Sequence, residues 1–228
     1  MIHILGTSHI AKQSLKEVRE YIEKEKPDIV ALELDRSRLA ALTEKRRTRL
    51  SLSMLPKFGL TGFIFALIGA WAEKKMGDIV GISPGEEMLL AAKLAKEHNL
   101  NVVCIDQHIT ITLKRLSKGI TWKERFRFFW EIITGIFNPK RLPFDLRKVP
   151  EDKVIEKLVE HVKIHYPNVY RVLIEERNHH MASRLNHITK QHPKEKILAI
   201  VGAGHRKGIE ELLNPTISYT FSVGPKTI

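Results

Sequence analysis

The chain has 228 residues, 43% of them hydrophobic, one cysteine and a formal net charge of +12 at pH 7. This length suits one large domain, or one domain with an insertion, and argues against a small stapled scaffold; a lone Cys104 excludes an intramolecular disulfide. The basic excess fits nucleic acid, an anionic membrane or an acidic substrate, but no zinc finger, RNP-like aromatic strand or basic leucine-zipper region accompanies it, so nucleic acid is the least favoured partner.

Met1-Ile2-His3-Ile4-Leu5-Gly6 lacks the charged region, long apolar core and cleavage site of a secretory signal, which makes the cytoplasm the expected compartment. The apolar run from Ile2 to Leu5 reads as a strand ended by a turn at Gly6. Ser14 opens a helix in which Leu15, Val18, Tyr21 and Ile22 recur among Lys and Glu until Pro27 stops it. Residues 28–34 form a near-continuous apolar run, as in a strand covered on both faces, and complete a βαβ unit.

Residues 58–72 are uncharged and bracketed by Lys57 and by Glu73-Lys74-Lys75. They are too few for a spanning helix, which needs about 20 residues, so they predict either a buried helix or an interfacial one. Pro84 starts a further helix through Met88, Leu89, Ala92 and Leu94 to Asn99, and Val102 to Ile105 forms the next strand, with Cys104 as a buried member.

Between Trp122 and Phe137, residues Trp122, Phe126, Phe129, Ile133 and Phe137 share one helical face, a stripe more often core than membrane anchor. The basic cluster Lys45-Arg46-Arg47-Thr48-Arg49, with Lys123, Arg125 and Arg127, would suit anionic headgroups if these two segments met a membrane. Prolines 139, 143 and 150 mark residues 135–150 as a linker. A long helix over residues 170–189 then precedes the buried strand of residues 196–202. These alternations predict an α/β fold, a mostly parallel central sheet flanked by helices, in a single domain of residues 1–228 with helical insertions at about 45–80 and 120–165.

Gly6-Thr7-Ser8-His9 follows the first strand and Gly202-Ala203-Gly204-His205 the last. In an open parallel sheet, residues just beyond strand carboxyl ends converge on one crevice, so His9 and His205 are candidate metal ligands, while the glycines let the backbone turn sharply. Each histidine alone reads more readily as an ordinary turn or hydrogen-bonding residue, and it is their matched placement that raises the metal reading to equal standing. Glu33, at the end of an apolar strand, needs a cation, metal or hydrogen-bond partner; it is either a structural ion pair with an arginine or a ligand or general base. His161 and His165 have the i, i+4 spacing of two ligands but lack the adjacent Glu of the metalloprotease arrangement, and read as solvated.

The blocks Gly6-Thr7-Ser8-His9, Leu32-Glu33-Leu34-Asp35-Arg36, Pro84-Gly85-Glu86-Glu87-Met88, residues 106–115, Glu176-Arg177-Asn178 and Gly202-Ala203-Gly204-His205 resemble, in order, the motifs of the TraB/PrgY/GumN family. That family resembles the Tiki proteins, described as metal-dependent proteases, and is similar in fold to erythromycin esterases and haem-binding ChaN-like proteins. The resemblance implies a metal and base centre of His9, His205 and Glu33, with a divalent transition metal, manganese or cobalt. It implies a functional acid at Glu87 in the Pro-Gly block, and Arg177 nearby, holding a substrate carboxylate, stabilising an oxyanion, or pairing with Glu33 or Glu87.

The block that usually reads Asp-Arg is Asp106-Gln107 here, which puts a charge role there in doubt. Founding members are linked to shutting down peptide pheromones, so the implied function is a membrane-associated hydrolase acting on peptides. The alternatives are a non-catalytic domain binding a peptide, haem or a membrane partner, and a homodimer formed through apolar helices. Members of archaeal type often continue into hydrophobic carboxyl-terminal segments.

Overall fold

The computed structural model describes residues 1–7, 12–44, 51–80, 85–137 and 152–214. Four parallel strands, β1 (Ile2–Thr7), β2 (Ile29–Leu32), β3 (Asn101–Cys104) and β4 (Ile197–Gly202), form one sheet in the order β1-β4-β2-β3. The last strand therefore lies inside the sheet, with Ile2 opposite Ile197 on one side and Ile29 opposite Ile197 on the other.

Alternation along the strands assigns the two faces. Ile197, Ala199 and Val201 of β4 and Ile29 and Ala31 of β2 pack with Met181, Leu185 and Ile209, which belong to α9 (Glu176–Gln191) and α10 (Ala203–Leu213). Leu198 and Ile200, with Val30 and Leu32, meet Val18 and Ile22 of α1 (Lys12–Glu25) and Met88, Ala91 and Leu94 of α4 (Glu86–Glu97) on the opposite face. Both faces of β2 and β4 are apolar because both are covered, which is why these strands read as continuous runs. Cys104, on the edge strand, is only partly buried; burial still pushes its thiol pKa up.

A second, all-helical cluster joins α3 (Leu55–Val80), α5 (Ile109–Gly119), α6 (Trp122–Phe137) and the short α8 (Pro167–Tyr170). Gly59 bends α3 with φ 72°, and Gly62 brings it so close to α5 that an added Cβ would sit 2.3 Å from the Leu113 carbonyl oxygen. Buried Glu124 fastens α6 to α8: it accepts from the Thr121 amide (3.0 Å), the Thr121 hydroxyl (2.9 Å), the Asn168 amide (2.8 Å) and the Asn168 side chain (2.9 Å). Burial opposes its charge, but these donors together hold its pKa below the usual carboxylate value.

Several sequence expectations change here. The apolar run of α3 is half seated rather than buried: Phe58 and Phe63 face inward while Leu60, Ile64, Leu67 and Trp71 are exposed. The aromatic stripe of α6 faces outward, Trp122 being 81% and Phe126 71% exposed, whereas Phe128 turns in to stack on Phe65 at 4.9 Å. Phe129, Ile133 and Phe137 of that stripe have side chains outside the described residues, as are the basic cluster 45–49 and Pro84. The helix α6 continues through Phe137, into what read as linker, and the remainder of that linker, 138–150, lies outside the described residues. Gly6 and Gly202 do not take left-handed backbone: Gly202 has φ −61°, and the bare Gly6 instead leaves room for Arg206, whose Cδ would be 2.9 Å from an added Cβ. His161 and His165, on α7 (Asp152–His165), are exposed, with tilted rings 4.3 Å apart.

Candidate active site

Three neighbouring strands, β4, β2 and β3, end side by side, and each is followed by a polar residue aimed at the same point. Glu33 comes one residue after β2, its amide donating to the Ile200 carbonyl at 3.1 Å. Asp106 comes two residues after β3, where the amides of Ile105 and Asp106 extend pairing with Leu32 (3.0 Å) and Leu34 (3.3 Å). His205 sits in the first turn of α10, directly after β4. Asp35, two residues after Glu33, caps α2 (Arg36–Thr43), accepting from the amides of Ser37 (2.8 Å) and Arg38 (3.1 Å) and from the Ser37 hydroxyl. Burial works against its charge, and these donors overcome it, holding the Asp35 pKa below its ordinary value.

Arg177 reaches this edge from α9. The helix leading to it is interrupted by a π-helical turn, Arg171–Glu175, a feature that recurs at functional sites. The guanidinium makes five bonds. Nε donates to Asp106 Oδ1 at 3.1 Å and Nη2 to Asp106 Oδ2 at 2.8 Å, a bidentate pair. Nη2 also donates to Glu33 Oε1, and Nη1 donates to the Leu173 carbonyl at 3.3 Å and to His205 Nε2 at 2.9 Å. Burial disfavours the cation, but Glu33 and Asp106 more than offset that, and the Arg177 pKa is held above its ordinary value. A guanidinium has five N–H donors, so a substrate oxygen would have to replace one of these partners.

The partners also fix the state of His205. Arg177 can only donate, so Nε2 accepts, and Nδ1 carries the proton it gives to Asn178 Oδ1 at 2.6 Å. Asn178 is itself wedged against Gly208, where an added Cβ would lie 2.3 Å from its Nδ2. Glu33 completes its own coordination by accepting from the Gly202 amide at 2.6 Å through Oε2.

Of the residues singled out in the sequence, Glu33, Arg177 and His205 thus meet in one cluster. Glu87, 1% exposed in the first turn of α4, is not among the groups that Arg177 binds. His9 lies outside the described residues. Asp106, discounted because Gln107 replaces the usual arginine, is the bidentate partner of Arg177; Gln107 turns instead to the Thr112 hydroxyl at 2.9 Å. Its position after β3, matching that of Glu33 after β2, was the available signal. Asn178, part of the Glu176-Arg177-Asn178 block, carried no role of its own in the sequence reading.

The donor set can supply part of a divalent-ion site. His205 Nε2 and Glu33 Oε1 are 3.4 Å apart, a separation that two neighbouring ligands of one transition ion can adopt. Both atoms are held by Arg177, the cation of this cluster, and among the described residues no three His, Cys, Asp or Glu side chains form a group that could hold a metal. The pair fits two positions of a site whose further ligand must come from beyond the described residues. A cavity of about 550 Å³ between α1 and α4, lined by Leu15, Arg19, Leu89 and Lys93, includes none of the cluster residues.

Residues 1–216 match the TraB/PrgY/gumN family. The chain belongs to that family. It is 36% identical over 213 residues to an uncharacterised protein of Methanocaldococcus jannaschii, an alignment covering 93% of this chain and 53% of the relative. It is 21% identical over 234 aligned positions to the TraB domain-containing proteins of mouse and human, covering 92% of this chain and 62% of each. The chain therefore spans a little over half the length of these family members.

Proposed function

We propose that this TraB-family domain is a metal-dependent hydrolase, a peptidase, centred on the carboxyl edge of β2, β3 and β4. The observation that carries the proposal is the convergence of Glu33, Asp106, Arg177 and His205 on one point where strands end, the place where α/β sheets bind ligands. Glu33 and His205 would hold the ion through Oε1 and Nε2, with His9 as the further ligand; manganese or cobalt is the choice that family resemblance suggests. When bound, the ion supplies Lewis acidity to polarise the scissile carbonyl.

The protein's own groups do the rest. In its alternative role Glu33 would instead take the proton of the attacking water and pass it to the amine that leaves as the peptide C–N bond breaks. Asn178 keeps the His205 lone pair at Nε2, directed inward. Arg177 is a positioning residue: its bonds to Glu33 and Asp106 hold two strand ends in register, and its Nη1 would release the Nε2 lone pair of His205 when an ion takes that place. We also assign the domain to the cytoplasmic face of a membrane, an assignment supported by its net charge of +12.

Saturation of all five Arg177 donors favours a second reading, a non-catalytic binding domain whose cluster is structural. One experiment separates the two. The purified protein is loaded with manganese or cobalt and assayed for bound metal and for cleavage of a fluorogenic peptide library, beside Glu33→Gln, His205→Ala and His9→Ala. Hydrolysis expects a metal content near one ion per chain that falls in both histidine variants, and turnover lost in all three. Equal metal content and equal turnover in wild type and variants would overturn it.

A further inference from the structure

All three tryptophans of the chain, Trp71, Trp122 and Trp130, lie on α3 or α6, and each is at least 59% exposed. Exposure of this kind is unusual for so large an apolar side chain. On α3, Leu60, Ile64, Leu67 and Trp71 follow the i, i+4, i+7, i+11 spacing of one helical face, a row about 16 Å long. On α6, Trp122, Phe126 and Trp130 form a second row at i, i+4, i+8, with Phe126 and Trp130 stacked at 6.4 Å.

Neither row results from a poorly seated helix. The inward face of α3 is locked by Phe58, Phe63 and the close approach of Gly62 to Leu113, and that of α6 by Glu124 and by Phe128 against Phe65 and Tyr166. Each helix is anchored on one side and presents its bulkiest apolar residues on the other. Exposed Lys123 and Arg127 border the α6 row, Glu131 stands one turn beyond, and exposed Lys57 stands at the start of α3. Among the described residues no helix is long and apolar enough to cross a membrane.

We propose that these two rows form an in-plane lipid-binding face: the aromatic and aliphatic side chains enter the interfacial layer of an anionic membrane while Lys57, Lys123 and Arg127 meet its headgroups. This deepens the membrane part of the proposed function and rests on it, but is independent of hydrolysis. Tryptophan prefers the headgroup boundary because its ring is apolar and its N–H can stay hydrated. The net charge of +12 selects an anionic surface over a neutral one.

Because every tryptophan lies on this face, emission excited selectively from tryptophan, clear of the four tyrosines, reports on it alone. The full chain is mixed at low salt with vesicles of equal parts phosphatidylglycerol and phosphatidylcholine, or of phosphatidylcholine only, and followed by emission maximum and sedimentation. A blue shift and pelleting with the anionic vesicles, weaker with neutral ones, is expected. Trp122→Ser/Trp130→Ser, with Trp71 as the remaining reporter, and Leu60→Ser/Leu67→Ser are each expected to weaken partitioning by at least about tenfold. Unchanged circular dichroism shows that both remain folded. If wild type binds anionic vesicles and both variants bind equally, the face is wrong while the membrane location survives. If wild type binds neither vesicle, membrane location and face both fail, and dimerisation lost in the same variants would assign the rows to a second copy. Peptide cleavage in lipid-free buffer is a separate readout that none of these outcomes moves.

Discussion

Replacing Arg177 by Met keeps an unbranched stem in place but removes the cation that, among the described residues, bonds both Glu33 and Asp106. The carboxylates are 6% and 12% exposed and both contact Nη2, so the substitution leaves two desolvated negative charges facing one another. Breaking a buried ion pair on one side costs about 3–5 kcal/mol. In a domain of this size each kcal/mol moves the midpoint by roughly 2–4 °C, so Arg177→Met should lower Tm by about 6–20 °C. The urea midpoint should fall with m unchanged, because the loss is one of stability and not of compactness. The variant Arg177→Met/Glu33→Gln/Asp106→Asn removes all three charges and should recover most of the loss, to within about 2 kcal/mol of wild type. Thermal and urea unfolding followed by circular dichroism measure both. A single variant within about 1 kcal/mol of wild type, or a triple variant no more stable than the single, would refute the view that Arg177 neutralises buried carboxylates.

Glu124→Gln should destabilise by about 1–3 kcal/mol at neutral pH, since an amide N–H2 then faces donors that the carboxylate satisfied. The folded Glu124 pKa lies below its ordinary value, so this contribution is complete above the carboxylate range and is lost as pH falls through the folded value; the gap between wild type and variant, read from urea midpoints, should narrow between about pH 7 and pH 3. Gly62→Ala should cost about 1–3 kcal/mol, because the new Cβ meets the Leu113 carbonyl at 2.3 Å. Gly69→Ala, in the same helix with nothing within 4 Å, should raise stability by about 0.5–1 kcal/mol, and differential scanning calorimetry compares the two. Asn178→Ala in the Arg177→Met background removes both partners that fix the ring and should let His205 mix tautomers, visible as averaged imidazole nitrogen shifts by NMR; a spectrum still showing protonated Nδ1 alone would deny these two partners their holding role.

The strands were legible because burial on both faces leaves an unmistakable record: Ile29–Leu32 and Ile197–Gly202 contain no polar side chain. The meeting of Glu33, Arg177 and His205 was legible for a related reason, since ends of parallel strands share one edge. Asp106 was not, because a sequence shows a carboxylate's neighbours along the chain and not the guanidinium that arrives 71 residues later. The orientation of α6 was hidden more deeply. Helical spacing says which side chains share a face but not which face turns inward, and here the choice is made by Glu124, clamped to Asn168 on α8, against the larger aromatic row. The wide turn before Arg177 leaves no compositional mark either.

Placing β4 between β1 and β2 has a consequence for the order in which the protein can mature on the ribosome. The strand that links the two halves of the sheet is the last of the four to be synthesised, and at about 5–20 residues per second roughly 10–40 s separate the emergence of Ile2 from that of its partner Ile197. Throughout that interval β1 has no neighbouring strand to bond, and β2 can pair only with β3. A nascent chain in this state carries two unjoined apolar edges together with the aromatic rows of α3 and α6, which makes it a natural client for chaperones that shield such surfaces until translation is nearly over.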